Sequence, residues 1–290
     1  FQDGPSATSA PSVIFWNDGN SFSRSDLLDR LNAHAACAGD LNGDGLTELI
    51  TGSTGNYQNT IYSNQGQRQF LNAHELTQET ISSAGACAVL KDPTTGNVAI
   101  VTTNLPLYPF FSAVVKVWDK DFKFVKSDGL PGSEESGTNI VILHDIINVI
   151  PIDINGDGHT DLIATDNGDF RQNLTNGSLL VLINQGNFVF SNETATYLPN
   201  QTKNSFFNYY YTKLTVDGYQ SIYLDHSGTV SLWQIKNGKM VKHKEALLNS
   251  LTSGYQYTNI YKTKNGYSLF LVSATEYPYA TFYYRPIPTN

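Results

Sequence analysis

The sequence is poor in the residues on which several protein classes depend. Its 290 residues include only two cysteines and one methionine, and only 15% of them are charged. Two cysteines cannot build the disulfide framework of a small secreted scaffold. No apolar run approaches the roughly 18 residues that a membrane-spanning helix needs, so we expect no membrane span. Eighteen Lys and Arg against 26 Asp and Glu give a net charge of −8, which argues against nucleic acid and anionic membranes as partners.

Apolar and aromatic residues, in contrast, are abundant enough for a large core. They include 3 Trp, 17 Tyr and 15 Phe, and apolar residues make up 40% of the chain, which excludes a disordered protein. The first eleven residues lack a signal peptide, but a mature chain that follows a cleaved signal would look the same. Four Asn-x-Ser/Thr sequons are candidates for glycosylation. They begin at Asn173, Asn176, Asn192 and Asn200.

Two segments of the chain are nearly identical. Residues 40–50 are Asp-Leu-Asn-Gly-Asp-Gly-Leu-Thr-Glu-Leu-Ile, and residues 153–163 are Asp-Ile-Asn-Gly-Asp-Gly-His-Thr-Asp-Leu-Ile. Each lies between apolar stretches, which predicts a strand, a tight turn and a second strand. Degenerate copies bring the number of these modules to five. Their turn glycines are residues 45, 96, 158, 218 and 266.

A second module alternates with the first and also occurs five times. It consists of a β-rich run, then Asn or Asp with Gly, then an aromatic residue, and it predicts a hairpin. Its copies begin at Val13, Ile61, Val115, Val181 and Val230. The chain begins with this second module and ends with a first module, so that joining its ends would complete a unit.

These repeats predict an all-β fold, a β-propeller. We expect five four-stranded blades rather than six or seven, with N- and C-terminal strands closing the ring. Residues 1–290 are expected to form a single domain, and residues 1–10 a flexible leader. The alternative is an open β-sandwich whose turns resemble one another by coincidence.

The two best-preserved turns have the donor pattern of a calcium site. We number the motif from its first Asp, so that oxygen-bearing side chains occupy positions 1, 3, 5 and 9, glycine occupies position 6, and position 7 offers its carbonyl. Hard oxygen ligands favour Ca²⁺ over zinc or copper, and strands rather than EF-hand helices flank the turns. The alternative is turn chemistry without a metal, since Asp, Asn and Gly also form turns. We predict two calcium ions, one in each turn, and none in the degenerate copies. The predicted ligands are Asp40, Asn42, Asp44, Leu46 and Glu48, and Asp153, Asn155, Asp157, His159 and Asp161.

The same two motifs resemble the FG-GAP/VCBS repeat family of integrin-α-like and microbial secreted propellers. The resemblance is strong over residues 35–72 and 147–190 and weak but in register over 84–125, 208–241 and 258–285. It implies a calcium-bearing β-propeller, usually extracellular, although seven blades are common in that family. The family's calcium positions carry over to the ten residues named above, and extracellular calcium is concentrated enough to fill weak sites.

The two cysteines occupy equivalent places in consecutive repeats. Cys37 and Cys87 each lie three residues before the start of a turn, and equivalent inner strands of neighbouring blades lie side by side. A disulfide between blades is one interpretation, and two buried free cysteines are the other.

We find no catalytic motif and no cofactor-binding motif. The six histidines form no His-x-x-x-His pair, and no Gly-x-Ser-x-Gly occurs. The pairs His144–Asp145 and Asp225–His226 are typical of strand ends or turns.

Aromatic clusters and long loops are the remaining candidates for ligand contact. The clusters are Phe110–Phe111, Tyr209–Tyr211, Tyr277–Tyr279 and Phe282–Tyr284, and the loops are 102–112, 127–138 and 166–178. The leading hypothesis is a secreted or cell-surface binding propeller, similar to a lectin or an adhesin, that recognises carbohydrate or protein. The alternatives are a propeller-based lyase or glycosidase and a purely structural module of a larger surface assembly.

Overall fold

The computed structural model of the protein describes most of its strands and the turns between them. The described residues are 13–18, 21–26, 33–53, 60–75, 84–104, 113–119, 123–131, 135–136, 141–142, 146–166, 178–198, 211–216, 218–226, 229–247, 257–263, 266–276 and 279–287. The chain divides into two compact units, one of residues 1–142 with 146–149 and the other of residues 143–145 with 150–290.

The described elements are 23 strands and one short helix. In the first half of the chain they are β1 (Val13–Asn17), β2 (Phe22–Asp26), β3 (Ala33–Gly39), β4 (Glu48–Ser53), β5 (Thr60–Asn64), β6 (Phe70–Glu75), β7 (Ala84–Lys91), β8 (Val98–Asn104), β9 (Ala113–Trp118), β10 (Phe124–Gly129), β11 (Glu135–Ser136) and β12 (Val141–Ile142). They continue as β13 (Ile146–Ile152), β14 (Asp161–Asp166), β15 (Ser178–Asn184), β16 (Phe190–Asn192), α1 (Thr194–Tyr197), β17 (Tyr211–Val216), β18 (Tyr219–His226), β19 (Thr229–Lys236), β20 (Lys239–Leu247), β21 (Tyr257–Thr263), β22 (Gly266–Glu276) and β23 (Tyr279–Ile287).

The sheets follow the predicted repeats. Strands β3–β6, β7–β10, β13–β16 and β17–β20 each form a four-stranded antiparallel sheet in which neighbours in sequence are neighbours in space. This up-and-down arrangement is that of a propeller blade, and it confirms the predicted all-β fold of four-stranded units. Strands β21–β23 form a three-stranded sheet, and β1–β2 and β11–β12 form two-stranded ones. The blade count, the closure of the ring and the single domain stay predictions.

In the first unit the core lies between two consecutive sheets. Buried side chains of the β3–β6 sheet pack against those of the β7–β10 sheet; they are Leu41, Ile50 and Ile61, and Val98, Ile100 and Trp118. Strands β3 and β7 approach closely at Gly39. A Cβ atom on this residue would lie only 2.6 Å from Cγ1 of Val89. Any side chain at residue 39 would therefore force the two strands apart.

A disulfide joins the same two strands. Cys37 of β3 and Cys87 of β7 are bonded, with their Cα atoms 5.5 Å apart. Of the two interpretations that the sequence left open, the disulfide is confirmed. The bond closes a span of 50 residues and links one four-stranded sheet to the next.

In the second unit the β13–β16 and β17–β20 sheets share a core. It contains Ile150, Ile152, Ile154, Ile163, Leu179, Val181, Ile183, Leu198, Ile222 and Met240. The largely aliphatic composition agrees with the continuous apolar runs around the second turn of the repeat. No helix in the described residues is long and apolar enough to cross a membrane.

The N-terminal hairpin, β1–β2, is held to the β3–β6 sheet by a charged and aromatic cluster. Arg68, in the β5–β6 turn, pairs with Asp18 and donates a hydrogen bond of 3.0 Å to Ser23. Its guanidinium lies 5.4 Å from the centroid of the Trp16 ring, which stacks on Phe70 at 5.9 Å. Two residues from one sheet thus anchor three from the hairpin.

Acid is expected to loosen this anchor. Hydrogen bonds from Ser23 and Arg68 hold the pKa of Asp18 below its ordinary value of 3.8. A carboxylate with a lowered folded pKa stabilises above its unfolded pKa, and that contribution is lost as pH falls through the folded value. Trp16 fluorescence should therefore change below about pH 4. The far-ultraviolet circular dichroism, measured at the same pH values, should stay constant, because the strands remain folded.

The matched control is Asp18→Asn, which removes the titrating group and should abolish this transition. Trp16→Phe identifies the signal of that ring among the three tryptophans. An identical acid transition in the wild type and in Asp18→Asn would show that Asp18 does not govern the anchor.

Candidate metal loops

Two eight-residue loops carry the predicted metal ligands at positions 1, 3, 5 and 7, and the ligand predicted at position 9 is the first residue of the strand that follows each loop. Loop 1, residues 40–47, connects β3 to β4, and loop 2, residues 153–160, connects β13 to β14. Position 2 of each is buried, whereas positions 3–6 are exposed. The glycines at positions 4 and 6 have φ values of +78° and +83° in loop 1 and +80° and +88° in loop 2. Only glycine adopts such values without strain, which explains why both loops have it there.

The carboxylate at position 1 organises the start of each loop. Its two oxygens accept the backbone N–H groups of positions 4 and 6. These distances are 2.6 and 3.3 Å for Asp40, and 2.7 and 3.1 Å for Asp153. The two loops therefore fold around the same acid in the same way.

Positions 3 and 5 are joined to each other. The Asn side chain accepts the N–H of position 5 at 3.0 Å in both loops and donates to that Asp at 2.9 Å in loop 1 and 2.8 Å in loop 2. The other oxygen of the Asp accepts the N–H of position 7 at 2.7 Å in both. The side chains at positions 1, 3 and 5 thus gather their oxygens on one short stretch of exposed backbone.

Position 9 behaves differently, because its carboxylate is buried beneath the loop. Glu48 is 3% exposed and Asp161 is fully buried. One oxygen of each accepts the N–H of position 2 at 2.8 Å. The other oxygen accepts a backbone N–H from the next hairpin: that of Asn64 for Glu48, at 3.5 Å, and that of Asn184 for Asp161, at 2.8 Å. Both oxygens are therefore already engaged by protein donors.

Asn64 and Asn184 also belong to the site, although they lie outside the repeated motif. Each donates its side-chain amide to the carbonyl of position 8, at 3.0 and 3.2 Å, and accepts a glycine N–H two residues later, at 2.9 and 3.1 Å. They begin the Asn-Gln-Gly turns of the second module, and that shared tripeptide was the signal that could have identified them. The position-9 acid and this Asn together tie each loop to the next hairpin.

The charges around the two loops differ. Burial raises the pKa of Asp161 above 3.8, an effect that N–H donors from Asn184 and Ile154 partly offset. In loop 1, Nζ of Lys91 lies 3.8 Å from Oδ2 of Asp40. In loop 2, Nδ1 of His159 is buried and has no hydrogen-bond partner in the part of the chain that the structure describes.

The oxygen atoms of the two loops are chemically suited to bind a hard cation. Positions 1, 3 and 5 offer the oxygens of two carboxylates and one amide, and calcium prefers such oxygens. The structure itself shows no metal site, since no three His, Cys, Asp or Glu side chains among the described residues are grouped so as to hold an ion. Only two acids, at positions 1 and 5, belong to the outer part of each loop, because the third, at position 9, is buried beneath it.

The connections in the other sheets are shorter. Strands β7 and β8 are joined by six residues, 92–97, whose first residue caps the turn: Asp92 accepts the N–H groups of Thr94 and Thr95 at 2.8 and 3.1 Å. Two residues join β17 to β18, and two join β21 to β22. These lengths leave no room for the eight-residue loop, although the absence of ions there stays a prediction.

Most of the other predicted candidates lie outside the described residues. This holds for Phe110–Phe111, Tyr209–Tyr210, Tyr277, His144–Asp145, residues 1–10 and most of the loops 102–112 and 166–178. The predicted loop 127–138 is described at 127–131 and 135–136, and its residues 127–129 lie in β10, so that it begins later than predicted. It also holds for the sequons at Asn173, Asn176 and Asn200. The fourth sequon residue, Asn192, is exposed at the end of β16, and its side-chain oxygen accepts a hydrogen bond from the Thr194 hydroxyl at 2.7 Å.

Comparisons with known proteins agree with this fold. Residues 32–67, which include loop 1, match the FG-GAP repeat. A protein from Lactobacillus plantarum has a similar structure, with 12% identity, a TM-score of 0.50 and coverage of 91% of this chain and 73% of that one. So has a provisionally assigned 6-phosphogluconolactonase from Bacteroides fragilis, with 13% identity, a TM-score of 0.52 and coverage of 97% and 79%. At these identities the likeness shows a propeller-type fold and no activity. No curated protein matches the sequence.

Proposed function

We propose that this protein is an extracellular, calcium-binding β-propeller module that recognises a carbohydrate or protein ligand. The observation that carries the proposal is the repetition of one loop in two sheets, where corresponding hydrogen bonds at positions 1–7 agree to within about 0.2 Å. Turn formation alone requires one Asp or Asn, as at Asp92. Each loop instead combines two acids and an amide at positions 1, 3 and 5, in the same geometry, and this set of oxygens favours cation binding as well.

The side chains at positions 1, 3 and 5 and the carbonyl of position 7 would hold the ion. When bound, calcium supplies a positive charge that offsets repulsion between neighbouring carboxylates. The position-9 acid keeps the loop attached to the following hairpin through the Asn of the Asn-Gln-Gly turn. An ion that orders the loop therefore also orders the Asn-Gln-Gly turn next to it. Surface turns of this kind are where propellers carry binding residues.

The disulfide supports an extracellular location. Disulfides persist in oxidising compartments and are rare in the cytosol. Those compartments are also the ones in which calcium is concentrated enough to fill sites of millimolar to submillimolar affinity. The two features therefore favour the same environment.

Calcium is expected to stabilise the fold measurably. With a dissociation constant of about 0.1 mM, 2 mM calcium adds about 2 kcal/mol for each loop to the free energy of unfolding. Asp44→Ala combined with Asp157→Ala should remove this gain, as measured by thermal melts with calcium and with EDTA. Asp128→Ala, which removes an exposed acid paired with Lys126, should keep it. A calcium-dependent shift that survives the double variant would contradict the assignment.

Ligand recognition is tested by binding to a glycan array with calcium and with EDTA. Calcium-dependent binding that the double variant lacks is the expected result. Degradation of an arrayed glycan would replace this function with that of a carbohydrate-active enzyme. Binding to a cognate surface protein and to no glycan would assign the protein to an assembly.

A further inference from the structure

Loop 1 has a cation of its own, supplied by the neighbouring sheet. Lys91 is the last residue of β7, and its Nζ lies 3.8 Å from Oδ2 of Asp40. The same atom would be 3.6 Å from a Cβ on Gly43, the residue at position 4. The ammonium group therefore lies over the first half of loop 1, beside the carboxylate that organises it.

Loop 2 has no such group. Within the described residues, no Lys or Arg lies within ion-pair distance of Asp153, Asp157 or Asp161. The side chain at position 7 is the imidazole of His159, where loop 1 has Leu46. The two loops thus share their backbone and their acids and differ in the charge placed next to them.

We propose that Lys91 lowers the affinity of loop 1 for divalent cations, so that loop 2 fills first as calcium rises. This inference rests on the calcium binding proposed above. The ammonium repels a divalent ion and competes with it for Asp40, and both effects are electrostatic and weaken with added salt. For partly exposed charges a few ångströms apart, the expected difference between the loops is about tenfold in dissociation constant.

Filling of loop 1 has a structural consequence that filling of loop 2 lacks. The Lys91–Asp40 pair joins the β7–β10 sheet to the loop of the β3–β6 sheet. An ion at loop 1 displaces that pair, leaving the disulfide and the shared core to hold the two sheets. Loop 1 therefore responds to calcium over a higher concentration range and changes a contact between sheets when it does so.

The test is a calcium titration in which each loop is observed alone. In Asp157→Ala only loop 1 remains as a calcium site, and in Asp44→Ala only loop 2 remains. The calcium affinity of each variant is measured by calorimetry at low and high salt. Loop 1 should bind about tenfold more weakly, and Lys91→Gln should tighten it by about that factor, with a smaller gain at high salt. Lys91→Arg, which keeps the charge, should leave the affinity low.

Two controls separate this inference from the function on which it rests. Lys126→Gln removes an equal charge from the same unit, where Lys126 pairs with Asp128 and not with loop 1, and should leave the affinity of loop 1 unchanged. Lys91→Gln should not alter loop 2. If both loops bind calcium equally and Lys91→Gln changes neither, the role of Lys91 is refuted while calcium binding stands. If neither loop binds calcium, the proposed function itself is refuted.

Discussion

Asp161→Ala is expected to lower the free energy of unfolding by about 3 kcal/mol. The carboxylate is fully buried and accepts two backbone N–H groups, those of Ile154 and Asn184, at 2.8 Å each. Removing it leaves two donors without a partner, and each buried unpaired donor costs about 1–3 kcal/mol. Urea denaturation in the presence of EDTA measures this effect without any contribution from calcium.

Variants of the same two loops provide the controls. Asp157→Ala removes an exposed carboxylate from the same loop and should cost less than about 1 kcal/mol under the same conditions. Glu48→Ala should cost somewhat less than Asp161→Ala, because one of its two hydrogen bonds is 3.5 Å long. Asp161→Asn should also destabilise, since its amide nitrogen would face a backbone N–H. If Asp161→Ala were as stable as Asp157→Ala in EDTA, the buried acid would not hold the loop in place.

Loss of the disulfide is expected to have an effect of similar size. The bond between Cys37 and Cys87 closes a span of 50 residues, for which chain entropy gives about 4 kcal/mol at 25 °C. Replacing both cysteines with alanine should therefore lower the melting temperature by about 10 °C. Scanning calorimetry of the double variant and of the native protein measures the difference.

The reductant-treated native protein is the matched control for this variant. It should melt at about the same temperature as the double alanine variant, whereas the variant itself should not respond to reductant. Thiol titration of the unfolded, non-reduced protein should find no free thiol, in agreement with the bond in the structure. Two titratable thiols, or a variant that melts with the native protein, would contradict a stabilising disulfide.

The repeats in the sequence were sufficient to predict the sheets and the exposed half of each loop. Alternating modules of two strands impose an antiparallel order, and the structure has that order in four sheets. Positions 1, 3, 5 and 6 are determined by local backbone geometry, in which short polar side chains bond to N–H groups two to five residues away. Contacts over such short separations can be read from spacing.

Contacts that form over longer separations could not be predicted in this way. Glu48 accepts an N–H from a residue 16 positions later, and Asp161 from one 23 positions later. Spacing predicts the acid at position 9 as a metal ligand, which stays a prediction; its hydrogen bonds to the next hairpin depend on strand register, which spacing does not indicate. Lys91 approaches Asp40 only because consecutive sheets pack together, and nothing in the motif indicates that contact.

The chain termini show a contact that the modules do not predict. Counting modules predicts that the N-terminal hairpin completes the last unit, and this stays a prediction. Among the described residues β1 pairs with β2, and β21–β23 form a three-stranded sheet. What the structure adds is the Arg68 cluster, which holds the hairpin against the first sheet. The modules contain no signal for that contact, because it joins side chains 45 and 50 residues apart.

A calcium titration of the chelator-stripped 290-residue protein by calorimetry tests the central claim most directly. Two binding events of unequal affinity are expected in the native protein, and neither event in the variant that combines Asp44→Ala with Asp157→Ala. Absence of binding heat in the native protein at millimolar calcium, together with identical melting temperatures in calcium and in EDTA, would contradict the claim that these two loops are calcium sites.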